Sequence, residues 1–268
     1  MLCETKAMNS LRLERYKFFL RFAKATYLPP FIGNTIRGAL GYALEEIGPN
    51  KNRNAYEDIF KTKPGVSIPN PYAISVPYSS KESYDKGDEL IFGITLFGYA
   101  CGYSSEIIVA AENMCNGKLR NATYCGVEKV YARQWSDSGA ESIPQIETLT
   151  INFLTPTEIL RNKTAIEDLS FDCFIDSLFG RIGGIIDNYT DSLFMIPYSY
   201  VAAKPFVRSE QNLRHIQFQT SGQPISGFVG TVRYFGDVTR YLPYIDLGSQ
   251  LHVGKKTTRA CGEYSFDV

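Results

Sequence analysis

Along this chain the spacing of apolar residues switches between two and about four in a fixed order, and that order leaves few ways to fold. Tyr16, Phe18, Leu20 and Phe22 alternate with Lys17, Phe19, Arg21 and Ala23, the period of a strand. After Pro29-Pro30 the spacing widens. Ile36, Leu40, Ala43, Leu44 and Ile47 recur as on one side of a helix, with Asn34 as its expected cap and Gly48-Pro49 as its stop. Lys51 to Pro71 reads as a long loop with a short helix near Tyr56 to Phe60. Tyr72 to Val76 and Leu90 to Phe97 read as strands. A second helix starts near Ser104, with Ile107, Ile108, Ala111 and Met114 on one face, and Gly126 to Arg133 is a further strand. Strand, helix, strand, strand, helix, strand closes into one sheet with both helices on one face and the other face open, the ferredoxin-like βαββαβ arrangement.

After the polar loop Gln134 to Pro144 the pattern begins again. Thr148 to Leu154 alternates as a strand. Phe171, Phe174, Ile175, Leu178, Ile182, Ile185 and Tyr189 mark a long amphipathic helix capped by Ser170. Strands are expected at Tyr200 to Val207, Leu213 to Gln219, Ile225 to Tyr234 and Tyr264 to Phe266, with a short helix near Thr239 to Leu247. The expected fold is α+β: two ferredoxin-like (RRM-like, βαββαβ) domains in tandem, residues 1–145 and 146–268. A chain of 268 residues with 44% hydrophobic content is long and apolar enough for both cores.

Between the last helix and the last strand, Gly248, Gly254 and Gly262 bracket Lys255, Lys256 and Arg259. A flexible backbone beside three positive charges suits a polyanion. It is not a P-loop: five residues separate Gly248 from Gly254 where that motif has four, and Lys256 separates Lys255 from Thr257. The segment before it, TRYLPYIDL, reads as a helix with Tyr241, Tyr244 and Ile245 on one side, not as the buried strand a P-loop follows.

The net charge is zero, but it divides unevenly. Residues 1–63 carry 11 Lys and Arg against 6 Asp and Glu, residues 64–200 carry 9 against 17, and residues 201–268 carry 8 against 5. If the basic ends meet in space they form a positive surface that the total conceals; the same counts also fit ordinary solvated charge. Six scattered cysteines without a Cys-x-x-Cys pair and only two histidines argue against a zinc site, and no metal or other cofactor is called for. The cysteines read as buried or half-buried free thiols. Charges throughout the first thirty residues and the lack of a long apolar run predict no signal peptide, no membrane span and a cytoplasmic setting.

The second half, from TINFLTPTEIL through FDCFIDSLFGRIGGIIDNY to LRHIQFQTSGQPISGFVGTVRYFGDVTRYLPYIDLGSQLHVGKKTTRACGEYSF, resembles the CRISPR precursor-RNA processing endoribonucleases of the RAMP superfamily. YLPPFIGNTIRGALGYAL and GDELIFGITLFGYACGYSSEIIVAAENM extend the resemblance over nearly the whole chain. IRGALG (Ile36 to Gly41) and LHVGK (Leu251 to Lys255) are its most specific pieces. The resemblance implies two ferredoxin-like domains side by side, a positive surface for CRISPR repeat RNA, and metal-independent cleavage. In that cleavage the substrate's own 2′-hydroxyl attacks the adjacent phosphate, leaving a 2′,3′-cyclic phosphate and a 5′-hydroxyl. Partners so implied are the repeat RNA (pre-crRNA) and subunits of a CRISPR effector complex; homodimerisation is left open.

Two departures bear on activity. Ala260-Cys261-Gly262 stands where the family's loop ends glycine-x-glycine, and the first helix lacks the family's usual histidine, offering Arg37, Tyr42, Glu45 and Glu46 instead, with Lys24 and Tyr27 upstream. The candidate catalytic residues are therefore His252 at the mouth of the loop, Tyr27 and Arg37. For His252 the alternative is a structural hydrogen bond to the loop backbone. The candidate RNA contacts are Gly254, Lys255, Lys256, Arg259, Gly262 and His215, the last sharing an exposed strand face with Gln217 and Gln219. Tyr27, Phe31 and Tyr103 are aromatic rings on which bases can stack. Three readings stay open: an endoribonuclease, a non-catalytic RNA-binding member, and a small-molecule enzyme that uses the loop for an anion.

Overall fold

The computed structural model describes residues 9–49, 53–61, 68–77, 81–136, 144–166, 168–196, 207–220 and 224–268. The first half holds strands β1 (Ser10–Phe22) and β2 (Thr26–Tyr27), helix α1 (Gly33–Ile47), strands β3 (Tyr72–Ser75), β4 (Ser83–Tyr84) and β5 (Glu89–Phe97), helix α2 (Ser104–Asn113) and strand β6 (Ala122–Ser136). The second holds β7 (Thr148–Thr157), β8 (Leu160–Arg161), β9 (Thr164–Ala165), α3 (Phe171–Tyr189), β10 (Arg208–Phe218), β11 (Ile225–Phe235), α4 (Leu242–Leu251) and β12 (Tyr264–Asp267). The strand expected at Tyr200 to Val207 falls, up to residue 206, outside the described residues.

Each half builds one antiparallel four-stranded sheet, in the order β3-β5-β1-β6 and β10-β11-β7-β12. In both, the first strand of the unit lies between the third and the fourth. Both halves therefore have the ferredoxin-like topology that the alternating periods predict. β2 pairs with β4 as a short two-stranded ribbon, and β8 with β9 as a short hairpin. No helix among the described residues is long and apolar enough to cross a membrane.

The alternation along β1 sends Tyr16, Phe18, Leu20 and Phe22 toward α1 and α2, where they meet Ile36, Leu40, Ala43, Leu44, Ile107 and Ala111 in one core. The opposite face of this sheet is only partly open. Leu11 and Leu13, both fully buried, and Trp135 join the core of the second half instead. Trp135 Nε1 donates to the carbonyl of Pro243 (3.1 Å), and Arg133 pairs with Asp246 (3.1 Å), so α4 lies against that face. Each of these buried leucines contributes about 1.5–3 kcal/mol, and their burial joins the first half to the core of the second.

Three local expectations change. Asn34 is not a cap: α1 begins at Gly33 behind Ile32, with no side chain capping it. Ser170, by contrast, caps α3 as expected, accepting from the amide of Cys173 (3.4 Å). The helix expected to end at Leu247 runs on to Leu251, so Gly248 is not part of the loop. It lies inside α4, where a Cβ would collide with Leu178 and the Tyr264 hydroxyl. Of the described cysteines, Cys101, Cys115 and Cys261 are buried and Cys173 half-buried as expected, but Cys125 is exposed.

Candidate functional site

The loop from His252 to Glu263 is tied to its surroundings by backbone hydrogen bonds, and its glycines serve close approach. Gly254 (φ 78°) lies against the carbonyl of Glu158, which accepts from the Lys255 amide (2.9 Å). Gly262 (φ 76°) lies against the carbonyl of Val253 and donates to that of Pro156 (3.1 Å). A Cβ at either position would collide with backbone, at a φ that only glycine adopts without strain. Between them Lys256 and Ala260 both take left-handed conformations (φ 59° and 64°) around a turn at Thr257–Arg259. Ala260 holds this left-handed conformation without being a glycine, at a cost of about 1–2 kcal/mol.

The N-terminus of α1 sits directly on this turn. Gly33 is packed so closely against the Arg259 carbonyl that a Cβ would collide with it. The two basic ends of the chain therefore meet at this turn. Part of their charge is already answered: Lys256 pairs with Glu158 (2.9 Å), each side chain about one-fifth exposed, and Arg15 approaches Glu263 (3.8 Å). Lys255 remains exposed, and Arg259 is half-buried.

His252 does not face solvent. It is fully buried at the C-terminal end of α4, with φ 60° and ψ 163°, a region close to glycine-only. Its Nδ1 donates to the Cys261 carbonyl (3.1 Å), which leaves Nε2 to accept from the Ser75 hydroxyl (3.4 Å). Burial draws its pKa down to about 3, outweighing the Cys261 hydrogen bond, and the nearby charges of Arg15 and Arg181 act in the same direction as burial. The imidazole is therefore neutral and shielded, and it ties the loop to β3 of the other half. That is the structural alternative; a proton-transfer role would need the loop to open.

Arg37 lies one turn into α1, half-buried, with its guanidinium 5.2 Å from the centre of the Phe60 ring. It is held by a ring, not by the acidic neighbour that is the usual alternative for such an arginine; among the described residues no carboxylate pairs with it. Tyr27 is 72% exposed on β2, ahead of α1, and no hydrogen bond among the described residues ties it to the loop. His215 is exposed on the edge strand β10. Two residues further on, Gln217, Phe218 and Gln219 face Phe31, Asn34 and Thr35 across a groove of about 600 Å³. Phe31 is buried and stacked on Phe218 (5.5 Å), and Tyr103 is buried with its hydroxyl on Asp58 (2.5 Å), so neither ring is free for a base.

The structure thus joins His252, Gly254, Lys255, Lys256, Arg259 and Gly262 in one loop and sets Arg37 close by on α1. Tyr27 and His215 stand on separate elements. The sequence reading missed Gly33, whose small size seats α1 on the loop, and the polar group Arg15, Ser75, Gln250 and Glu263 behind His252. Arg15 donates to Gln250 (3.3 Å) and Ser75 (3.5 Å), and burial raises the pKa of Glu263. Nothing in local periodicity marks these residues, because they meet only across the two halves.

Residues 151–264 match the family model of the CRISPR-associated endoribonuclease Cas6, and residues 11–152 match that of the AF_1859_N N-terminal domain. Among solved structures, a Cas6 product complex is 16% identical, with 95% of this chain and 99% of that one covered and a TM-score of 0.66. Thermus thermophilus Cas6 is 15% identical over 96% and 99%, with a TM-score of 0.62. A partial Cas6-RT-Cas1–Cas2 complex is 11% identical over 96% of this chain and 46% of that one, with a TM-score of 0.66. At these identities the likeness is one of fold. Compared with curated protein sequences, the chain finds no match.

Proposed function

We propose, from the match of residues 151–264 to the family model of the CRISPR-associated endoribonuclease Cas6, that this chain is a member of that family and that it binds CRISPR repeat RNA and cleaves it within the repeat. The observation that carries the reading is the seating of the α1 N-terminus on the glycine loop. Arg259 and Arg37 supply positive charge there, beside helix amides that no side chain caps. A phosphodiester bound across that junction would have its developing charge stabilised as the 2′-hydroxyl attacks. Arg259 binds phosphate, Arg37 stabilises charge, exposed Lys255 meets the strand beyond the junction, and Gly254 and Gly262 let the loop pack closely on its own backbone. His252 acts as a positioning residue that holds the loop in shape. Exposed His215 and Tyr27 widen the RNA-contacting surface.

A second reading, a member that holds repeat RNA without cutting it, is favoured by one observation. The single imidazole of the loop is buried and neutral, and general acid–base catalysis by a positioned group contributes about 10²–10⁴ in rate. Incubation with the CRISPR repeat of its own genome, in EDTA, separates the two. The endoribonuclease reading expects a 2′,3′-cyclic phosphate end and a 5′-hydroxyl end. Intact RNA despite tight, salt-sensitive binding would leave only the second reading.

A further inference from the structure

A cleft of about 490 Å³ opens between α3 and the glycine loop, lined by Asn70, Ser177, Arg181, Lys255 and Thr258 among others. Arg181 is the unusual member. It is 8% exposed, and burial lowers its pKa to about 10. The groups that offset this are the Tyr189 and Tyr72 hydroxyls, and no carboxylate among the described residues pairs with it. Its Nε and Nη2 donate to the carbonyl of Leu251 (3.3 and 3.2 Å), at the C-terminal end of α4, which recovers some of the desolvation cost but supplies no full counter-charge.

The surroundings repeat this shortage of negative charge. Glu158, on the cleft wall, is already taken up by Lys256, so Arg181 and Lys255 leave the cleft net positive. Close by, the Tyr72 hydroxyl and the Arg37 Nε are both buried without a hydrogen-bond partner. Burial pushes the Tyr72 phenol up to about 12; the charges of Arg37 and Arg181 act on it, and Thr258 adjoins it, without any of them making a well-formed hydrogen bond. A buried cation without a counter-ion is costly unless something supplies an anion. Hydroxyls, a guanidinium and an ammonium around a cleft of this size suit the several oxygens of a phosphate.

We propose that this cleft is a phosphate subsite, in which Arg181, Lys255 and the Thr258 hydroxyl hold a phosphodiester of the RNA strand next to the one bound at the α1–loop junction. The strand is then gripped on both sides of the glycine loop. The assignment rests on the RNA-binding reading above.

Gly180 lines the same cleft, and a Cβ there meets nothing within 4 Å, so Gly180→Asp places a carboxylate beside Arg181 without strain; Gly180→Ala is the control. Binding of uncleavable 2′-O-methyl repeat RNA is measured by fluorescence anisotropy over a salt series. Gly180→Asp is expected to weaken binding about tenfold and to reduce the slope of log K against log salt by about 0.7–0.9, the share of one phosphate contact, while Gly180→Ala behaves as wild type. A folded Gly180→Asp protein with wild-type affinity and slope overturns the subsite. If the wild type itself fails to bind RNA at low salt, the RNA reading is what has failed. Inorganic phosphate then separates the remaining cases by thermal unfolding. Stabilisation of the wild type but not of Gly180→Asp assigns the cleft to a free phosphate compound, and no stabilisation of either overturns it.

Discussion

Acid should unfold this protein partly through His252. Its imidazole is fully buried and its pKa is drawn from the usual 6.5 to about 3. As pH falls below 6.5 the unfolded chain takes up a proton that the folded chain refuses. Stability is therefore complete above about pH 6.5 and declines until the folded pKa is passed. Between pH 8 and pH 5 the loss is close to 1.5 pH units at about 1.36 kcal/mol each, or about 2 kcal/mol. His252→Gln retains a donor for the Cys261 carbonyl and an acceptor for Ser75 but does not titrate. Urea unfolding of both proteins at the two pH values, followed by Trp135 fluorescence, measures the difference by linear extrapolation. The variant starts less stable, but it should lose about 2 kcal/mol less than the wild type on acidification. Other titrating groups are common to both proteins and cancel in the comparison. Glu263, raised by burial, opposes the trend. Glu14 lies below the window: burial raises its pKa, but hydrogen bonds from Tyr16, Lys129 and Arg12 outweigh that and bring it to about 2. Equal acid sensitivity in wild type and variant would refute the buried, neutral imidazole and return His252 to the list of candidate acids and bases.

Two glycine-related substitutions test the packing of the loop and of the helix before it. Gly248→Ala should destabilise by about 1–3 kcal/mol in thermal or urea unfolding despite the better helix propensity of alanine, because the added methyl collides with Leu178 and the Tyr264 hydroxyl that donates to Ile245 (2.7 Å). A stabilised variant would show that this side of α4 is looser than described. Ala260→Gly should leave stability within about 0.5 kcal/mol of wild type, since relief of left-handed strain is offset by a lost buried methyl and a freer unfolded chain. A loss above about 2 kcal/mol would mean that the methyl, buried beside Gly33, matters far more than the strain.

The architecture was legible in the chain because it is written in periods. The alternation from Tyr16 to Phe22 and the helical spacing from Ile36 to Ile47 are local patterns that place apolar residues on one face, and both formed as expected. Where the reading failed, the deciding partner lay far along the chain. Leu11, Leu13 and Trp135 continue the same sheet but bury their side chains against the other half, which no period within residues 1–145 reveals. Asn34 has a capping side chain, yet α1 starts a residue earlier because Gly33 is seated on the Arg259 carbonyl.

The candidate site divides in the same way. The glycines and cations of the loop stood out by spacing and composition, and the loop forms where they lie. Which of those residues faces outward was decided by packing between the halves. His252 was the most attractive acid or base in the chain, and its burial against Ser75 makes it a neutral brace. Arg181 attracted no notice on an ordinary amphipathic helix, yet it is buried beside the loop on the Leu251 carbonyl, with no carboxylate among the described residues paired to it. Residue types and their spacing settle what a segment can become, because those preferences act over a few residues. The protonation state and accessibility of a side chain depend on solvent exclusion and on charges brought from distant segments, and only the folded chain sets those.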